Sequence, residues 1–152
     1  MEYKKDKRTE NLTMRDIHVG DWVQVWSETT ERYSPPLKII QICDDGTIYL
    51  VISDEQRPTP WEEDIKNVDA IPIDEDLLMG FGFDVRGKYT DTFGTYQTVY
   101  YQGDYLGQLR YTINDKTYLR VCGFSCYYMD ELTDYMWRNH IDIKLEWKGV
   151  EK

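Results

Sequence analysis

From Ile17 onward, apolar and polar residues alternate in short runs with the two-residue period of strands. A turn at His18-Val19-Gly20-Asp21 leads into Trp22-Val23-Gln24-Val25-Trp26, and a loop around Ser34-Pro35-Pro36 leads into Leu37–Ile42. Asp44-Asp45-Gly46 is a hairpin signal, because glycine and aspartate accept the backbone angles of a tight turn. Thr47–Ile52 is the return strand. Pro58 and Pro60 then break the ladder, since proline has no N–H to donate. Glu62–Val68 reads as a short solvated turn or strand. Several short strands around one tight hairpin predict a small SH3-like barrel.

The rhythm changes at Ile71-Pro72-Ile73. Asp74 is placed as a helix N-cap, with Glu75 and Asp76 in the first turn, where the helix dipole favours acids. Ile73 and Leu78 occupy the staple positions and Gly82 is the stop. A meander of strands follows, over Asp84–Thr90, Thr95–Tyr101, Gly107–Ile113 and Thr117–Cys122. Its turns fall at Thr92-Phe93-Gly94, Gly103–Tyr105 and Asn114-Asp115. Tyr128–Asn139 reads as a helix with Met129, Leu132 and Met136 as its apolar stripe and Tyr135 beside it. Ile141–Trp147 alternates as a half-buried strand. The fold expected is mainly β, of the α+β class: a polar tail over 1–12, an SH3-like barrel over 13–70, and an α+β unit over 71–152 with two helices on one face of an antiparallel sheet.

Composition narrows the function. The chain of 152 residues carries a net charge of −10, and its first eight residues hold four bases against two acids. Such a field repels duplex nucleic acid and anionic membranes unless a local patch overrides it. Without a signal peptide or a long apolar run, the expectation is a cytosolic protein. Cys43, Cys122 and Cys126 have no framework spacing, and only His18 and His140 could complete a metal site, so they read as core thiols. No cofactor is expected.

The order of pieces resembles a set of small uncharacterised proteins of gut Bacteroidetes and their phages. The segments that carry the resemblance are HVGDWVQVW, DDGTIYL, IPIDEDLLMGFGF and YMDELTDYMWRNHIDIKLEW. Those proteins typically combine a barrel-like start, an "IPLTEE-LL--GF" helix and a terminal helix followed by "ELEI". Gly80 and the tyrosine-rich sheet depart from their pattern. The resemblance implies a phage or mobile-element accessory protein acting in a host cytosol, and carries no catalytic residue with it.

Enzymatic chemistry finds little purchase. His18 sits at a strand entry and His140 just past a helix, so neither is an evident base for a nucleophile. Asp74-Glu75-Asp76 is accounted for by capping, and Glu62-Glu63-Asp64 by a solvated turn. Gly80-Phe81-Gly82-Phe83-Asp84-Val85-Arg86-Gly87 follows a helix, where a dinucleotide loop would link a strand to one. Trp22 and Trp26 share a strand face with Gln24. They fit a barrel core, with a peptide groove as the alternative.

One sheet face stands out. With Val85, Tyr89, Val99, Tyr101, Leu109, Tyr111, Leu119 and Val121 inward, strand alternation sends Arg86, Lys88, Tyr96, Tyr100, Arg110, Tyr118 and Arg120 outward, with Asp84 as the single acid. Guanidinium groups beside tyrosines suit a protein interface centre or a nucleotide. An ordinary solvent face, or one covered by a second subunit, has the same composition. The functional reading is a non-enzymatic binding protein acting on a host or phage protein, such as an anti-defence inhibitor. The alternative is a sponge for a small nucleotide signal, and an enzyme comes third. A homo-oligomer is compatible with each.

Overall fold

The computed structural model describes residues 17–53, 58–112, 116–139 and 145–149. The tail over 1–12, the turn at Asn114-Asp115, His140 and most of the final strand expected over Ile141–Trp147 lie outside them. Among the described residues the protein is mostly β, with two sheets and two α-helices.

The first sheet is a half-barrel. It contains β1 (Trp22–Ser27), β2 (Arg32–Tyr33), β3 (Leu37–Ile42), β4 (Thr47–Val51) and β5 (Trp61–Asp64), in the order β2-β1-β3-β4-β5. A 3-10 turn over Ile65–Asn67 then feeds β6 (Val68–Asp69), which returns to pair with β1 through Gln24↔Asp69 and Val25↔Val68. The Asp45-Gly46 hairpin forms as expected: Thr47 N–H donates to Asp45 Oδ1 at 3.0 Å, and Gly46 stands at φ +91°. Of the turn or strand expected over Glu62–Val68, the acidic run Glu62-Glu63-Asp64 is strand, in edge strand β5, because its backbone pairs with β4. Asp64 caps the 3-10 turn by accepting from Lys66 N–H at 3.0 Å.

The second sheet runs β11-β10-β9-β8-β7, from β7 (Asp84–Asp91), β8 (Gly94–Tyr101), β9 (Asp104–Tyr111), β10 (Thr117–Val121) and β11 (Phe124–Cys126). Sequence alternation gives neither β11 nor the early start of β9. Both follow from two-residue turns whose residues have positive φ: Gln102-Gly103 at +51° and +87°, and Cys122-Gly123 at +48° and +87°. Such turns match the twist of the flanking strands and let pairing resume at once.

Helix α1 (Glu75–Gly80) begins as expected, with Leu77 N–H donating to Asp74 Oδ1 at 2.7 Å. It ends with Gly82 N–H on Met79 O at 3.0 Å and Phe83 N–H on Leu78 O at 3.0 Å, a Schellman closure that uses Gly82 at φ +90°. Helix α2 (Met129–Arg138) buries Met129, Leu132 and Met136. Its start is tied by Glu131, which accepts from Tyr128 N–H at 3.1 Å. Both helices pack on the same face of the second sheet, against Val99, Leu109, Leu119 and Val121.

Strand β1 belongs to both hydrophobic clusters. Val23 and the half-buried Val25 face the half-barrel core of Leu37, Ile39, Ile48 and Leu50. Trp22, on the opposite side, is buried in the other cluster with α1, α2 and the second sheet. Tyr128, at the start of α2, packs in the reverse sense into the half-barrel core. Ile71–Ile73 runs antiparallel to Tyr127–Met129, with Ile73 N–H on Tyr127 O and Met129 N–H on Ile71 O, each at 2.9 Å. Trp22 is therefore not a barrel-core residue. Its indole meets Phe81 edge-on at 5.0 Å, and Phe81 meets Trp147 at 5.1 Å. The other residues on its side of β1 are also engaged. Gln24 is buried and donates to Ala70 O at 3.1 Å, and Trp26 packs edge-on against Tyr33 at 4.9 Å. Trp26 is only half-buried, whereas Trp22 is 2% exposed.

Gly80 has a specific reason to be glycine. A Cβ there would lie 2.1 Å from the Trp147 ring. An alanine in a helix ordinarily gains about 0.5–1 kcal/mol over glycine. Here Gly80→Ala is expected to destabilise by roughly 1–3 kcal/mol through overpacking, measured by chemical denaturation, and Gly80→Ala with Trp147→Leu should recover most of the loss. A stabilised single variant would refute this packing. Trp22→Ala is expected to cost about 3–5 kcal/mol. Trp26→Ala, at a half-buried site, should cost roughly 1–2 kcal/mol.

Candidate binding face

Directly opposed residues of an antiparallel pair share a face. The register of the second sheet therefore assembles three cross-strand rows on the side away from the helices. One is Asp84–Tyr100–Tyr105; the next is Arg86–Thr98–Gln108–Arg120–Ser125; the third is Tyr89–Tyr96–Arg110–Tyr118, with Asp91 at its end. Of the residues expected on this face, Arg86, Tyr96, Tyr100, Arg110, Tyr118 and Arg120 are brought together.

Lys88 is not among them, and Tyr89, expected in the core, takes its place. The cause is a bulge between Arg86 and Tyr89, where three steps on β7 oppose two on β8. Gly87 provides it at φ +71°, and the Tyr89 ring folds over that glycine: a Cβ on Gly87 would meet it at 2.6 Å. Tyr89 then stacks on Tyr96 at 5.4 Å with 30° between planes. A second irregularity, between Val99 and Tyr100, sets Tyr105 against Tyr100 at 5.8 Å. Tyr127 extends the surface beside Tyr118 at 5.2 Å. Sequence reasoning missed Tyr89, Tyr105 and Tyr127. The usable signal for the first was Gly87, a glycine inside an otherwise regular strand.

The face is also less basic than alternation implied. Arg110, expected on a solvent face, is 5% exposed. Its Nη2 donates to Asp91 Oδ1 and its Nη1 to Gln108 Oε1, both at 2.7 Å, and its guanidinium lies over the Tyr96 ring at 4.9 Å. The hydrogen bond to Asp91 holds the Arg110 pKa above its ordinary value, and the same bond holds the Asp91 carboxyl below the usual range. Arg86 is exposed but engaged: it donates from Nε to Asp84 Oδ2 at 2.6 Å and lies over Tyr100 at 4.5 Å. Arg120 is exposed and has no ion pair among the described residues. The three rows thus carry five tyrosines, with Tyr127 beside them, two internally paired arginines and the exposed Arg120.

The remaining candidate chemistry disperses. Cys43 is half-buried, Cys122 is an exposed hairpin residue, and Cys126 is buried, with its thiol pushed up to about 12 by burial. Among the described residues no group of three or more His, Cys, Asp and Glu is arranged to hold a metal ion. Among them, too, no helix is long and apolar enough to cross a membrane. No family model, curated protein or solved structure matches the chain.

The two arginines should separate cleanly under substitution. Arg110→Ala removes the side-chain donor to Gln108 and Asp91, leaving Asp91 with the Phe93 N–H, and is expected to cost about 1–3 kcal/mol in denaturant titrations. Arg120→Ala should stay within about 0.5 kcal/mol of the parent. Equal costs would mean that Arg110 is as solvated as Arg120.

Proposed function

We propose that the chain is a non-enzymatic binding protein that docks a protein partner on the tyrosine–arginine face of its second sheet. The observation that carries this reading is the state of the arginines. Two of the three already hold carboxylates within the face, so the surface offers mainly tyrosine rings with one open guanidinium. Tyrosine and arginine are the residues favoured at interface centres, where rigid rings add contact area at low entropic cost.

Small-molecule sites, by contrast, are concave. Three clefts among the described residues are lined without any tyrosine or arginine of the three rows, and of the tyrosines on the face only Tyr127, at its margin, lines one of them. That shape makes a nucleotide sponge the weaker reading, although Arg120 beside tyrosine platforms retains the elements of one. The resemblance to small proteins of gut Bacteroidetes and their phages supplies the setting: an accessory protein in the bacterial cytosol, acting on a host protein such as a defence component.

Affinity capture from host lysate tests this. The parent chain should retain a defined protein, and Arg120→Glu with Tyr105→Ala should lose it while melting at the parent temperature. Calorimetry with small phosphorylated nucleotides should show no heat. Capture unaffected by the double variant, or nucleotide binding with no protein retained, would overturn the proposal.

A further inference from the structure

A second feature lies far from the sheet face in composition and chemistry. A cleft of about 590 Å³ opens between the segment entering β1 (His18–Trp22), Lys38 of β3, the second half of α2 and Leu145. Its volume falls within the range of small-ligand sites, roughly 300–1,000 Å³. Two apolar side chains at its walls are left open to water: Trp137 is 77% exposed and Val19 is 62% exposed. Trp137 stands off the apolar stripe of α2, so core packing does not account for it.

Asp21 also lines the cleft, only 4% exposed, accepting from His18 N–H at 2.8 Å through Oδ2. The titratable and charged groups around it are His18 on its own segment, Asp130, Asp134 and Arg138 of α2, and Lys38 of β3. Asp134 is held by Arg138 at 3.2 Å. The charges that act on Asp21 are Asp130 and Asp134, which repel its carboxylate, and His18, a largely exposed imidazole at 3.6 Å.

We propose that this cleft is a binding site for a small organic cation, an amine or guanidinium of the polyamine class, whose charge meets Asp21 while its methylene chain lies against Trp137. An exposed indole offers a broad apolar surface to a methylene chain, and a nearly buried carboxylate gains most from a charge brought into the same low-dielectric space. Burial, first, and the two neighbouring carboxylates push the Asp21 pKa up to about 6. The protonated acid therefore predominates only below about pH 6, and a bound cation favours the carboxylate. Binding should tighten as the pH rises through that value.

The site is independent of the proposed partner face, so either can fail alone. Calorimetry with spermidine and agmatine, and with butanoate as an anionic control, tests it. Both cations should bind near pH 8 and weaken about tenfold near pH 5, as the carboxyl protonates. Asp21→Asn and Trp137→Ala should each weaken binding about tenfold or more, while Arg120→Glu leaves it unchanged. Stability provides a readout that does not require tight binding. Without ligand, the raised carboxyl pKa contributes stability at low pH that is lost as pH rises through about 6, and spermidine should restore it in the parent chain but not in Asp21→Asn. Butanoate binding as well as the cations, equal affinity in folded Asp21→Asn, or no heat with either cation at millimolar concentration would overturn the assignment.

Discussion

Burial of β1 on both faces is the constraint on which the rest of the structure depends. A strand of six residues cannot satisfy two cores by simple alternation unless each side chain matches its side in size and polarity. Val23 and Val25 serve the half-barrel. Trp22 spans the other way, to Phe81 and through it to Trp147, and that row of edge-on rings closes only because residue 80 lacks a Cβ. Lys148 N–H on Gly80 O at 2.8 Å ties the same spot through the backbone. Tyr128 reciprocates from the start of α2 into the half-barrel core. The two sheets are thus joined by exchanged aromatic residues as well as by the linker between them.

That joint leaves the outer face of the second sheet free of structural duty toward the half-barrel. The helices and the exchanged aromatics occupy its inner side, and the outer side organises itself by cross-strand contacts. Arg110 is the centre of that organisation. It is a nearly buried guanidinium whose hydrogen-bond partners and ring contact all come from the same face. Side chains that already hold one another in this way have less freedom left to lose in any contact. It also explains how an acidic protein can hold arginines in a cluster without presenting a basic patch.

Much of the fold was legible in the chain because the signals are local. The Asp74 cap, the Gly82 closure, the Asp45-Gly46 hairpin and the Met129, Leu132, Met136 stripe each rest on chemistry within a few residues, and each occurs where the pattern predicts. The face was legible in part for a related reason. Alternation carries a side assignment along a strand until something inserts a residue, and on β9 and β10 nothing does so between Gln108 and Arg110 or between Tyr118 and Arg120.

What only the tertiary structure decided comes from contacts distant in sequence. The bulge at Gly87 moved Lys88 out and Tyr89 in, because one inserted residue reverses every assignment beyond it. The burial of Arg110 required Asp91, nineteen residues away, to arrive across two strands. The role of Trp22 required α1 and Trp147 to close over the side of β1 that alternation assigned to a barrel core. Sequence alone determined which residues could form most of the elements and where the turns with local signals fall, though not the turn at Cys122-Gly123. Packing determined which face each side chain serves, because that choice depends on what lies opposite in space.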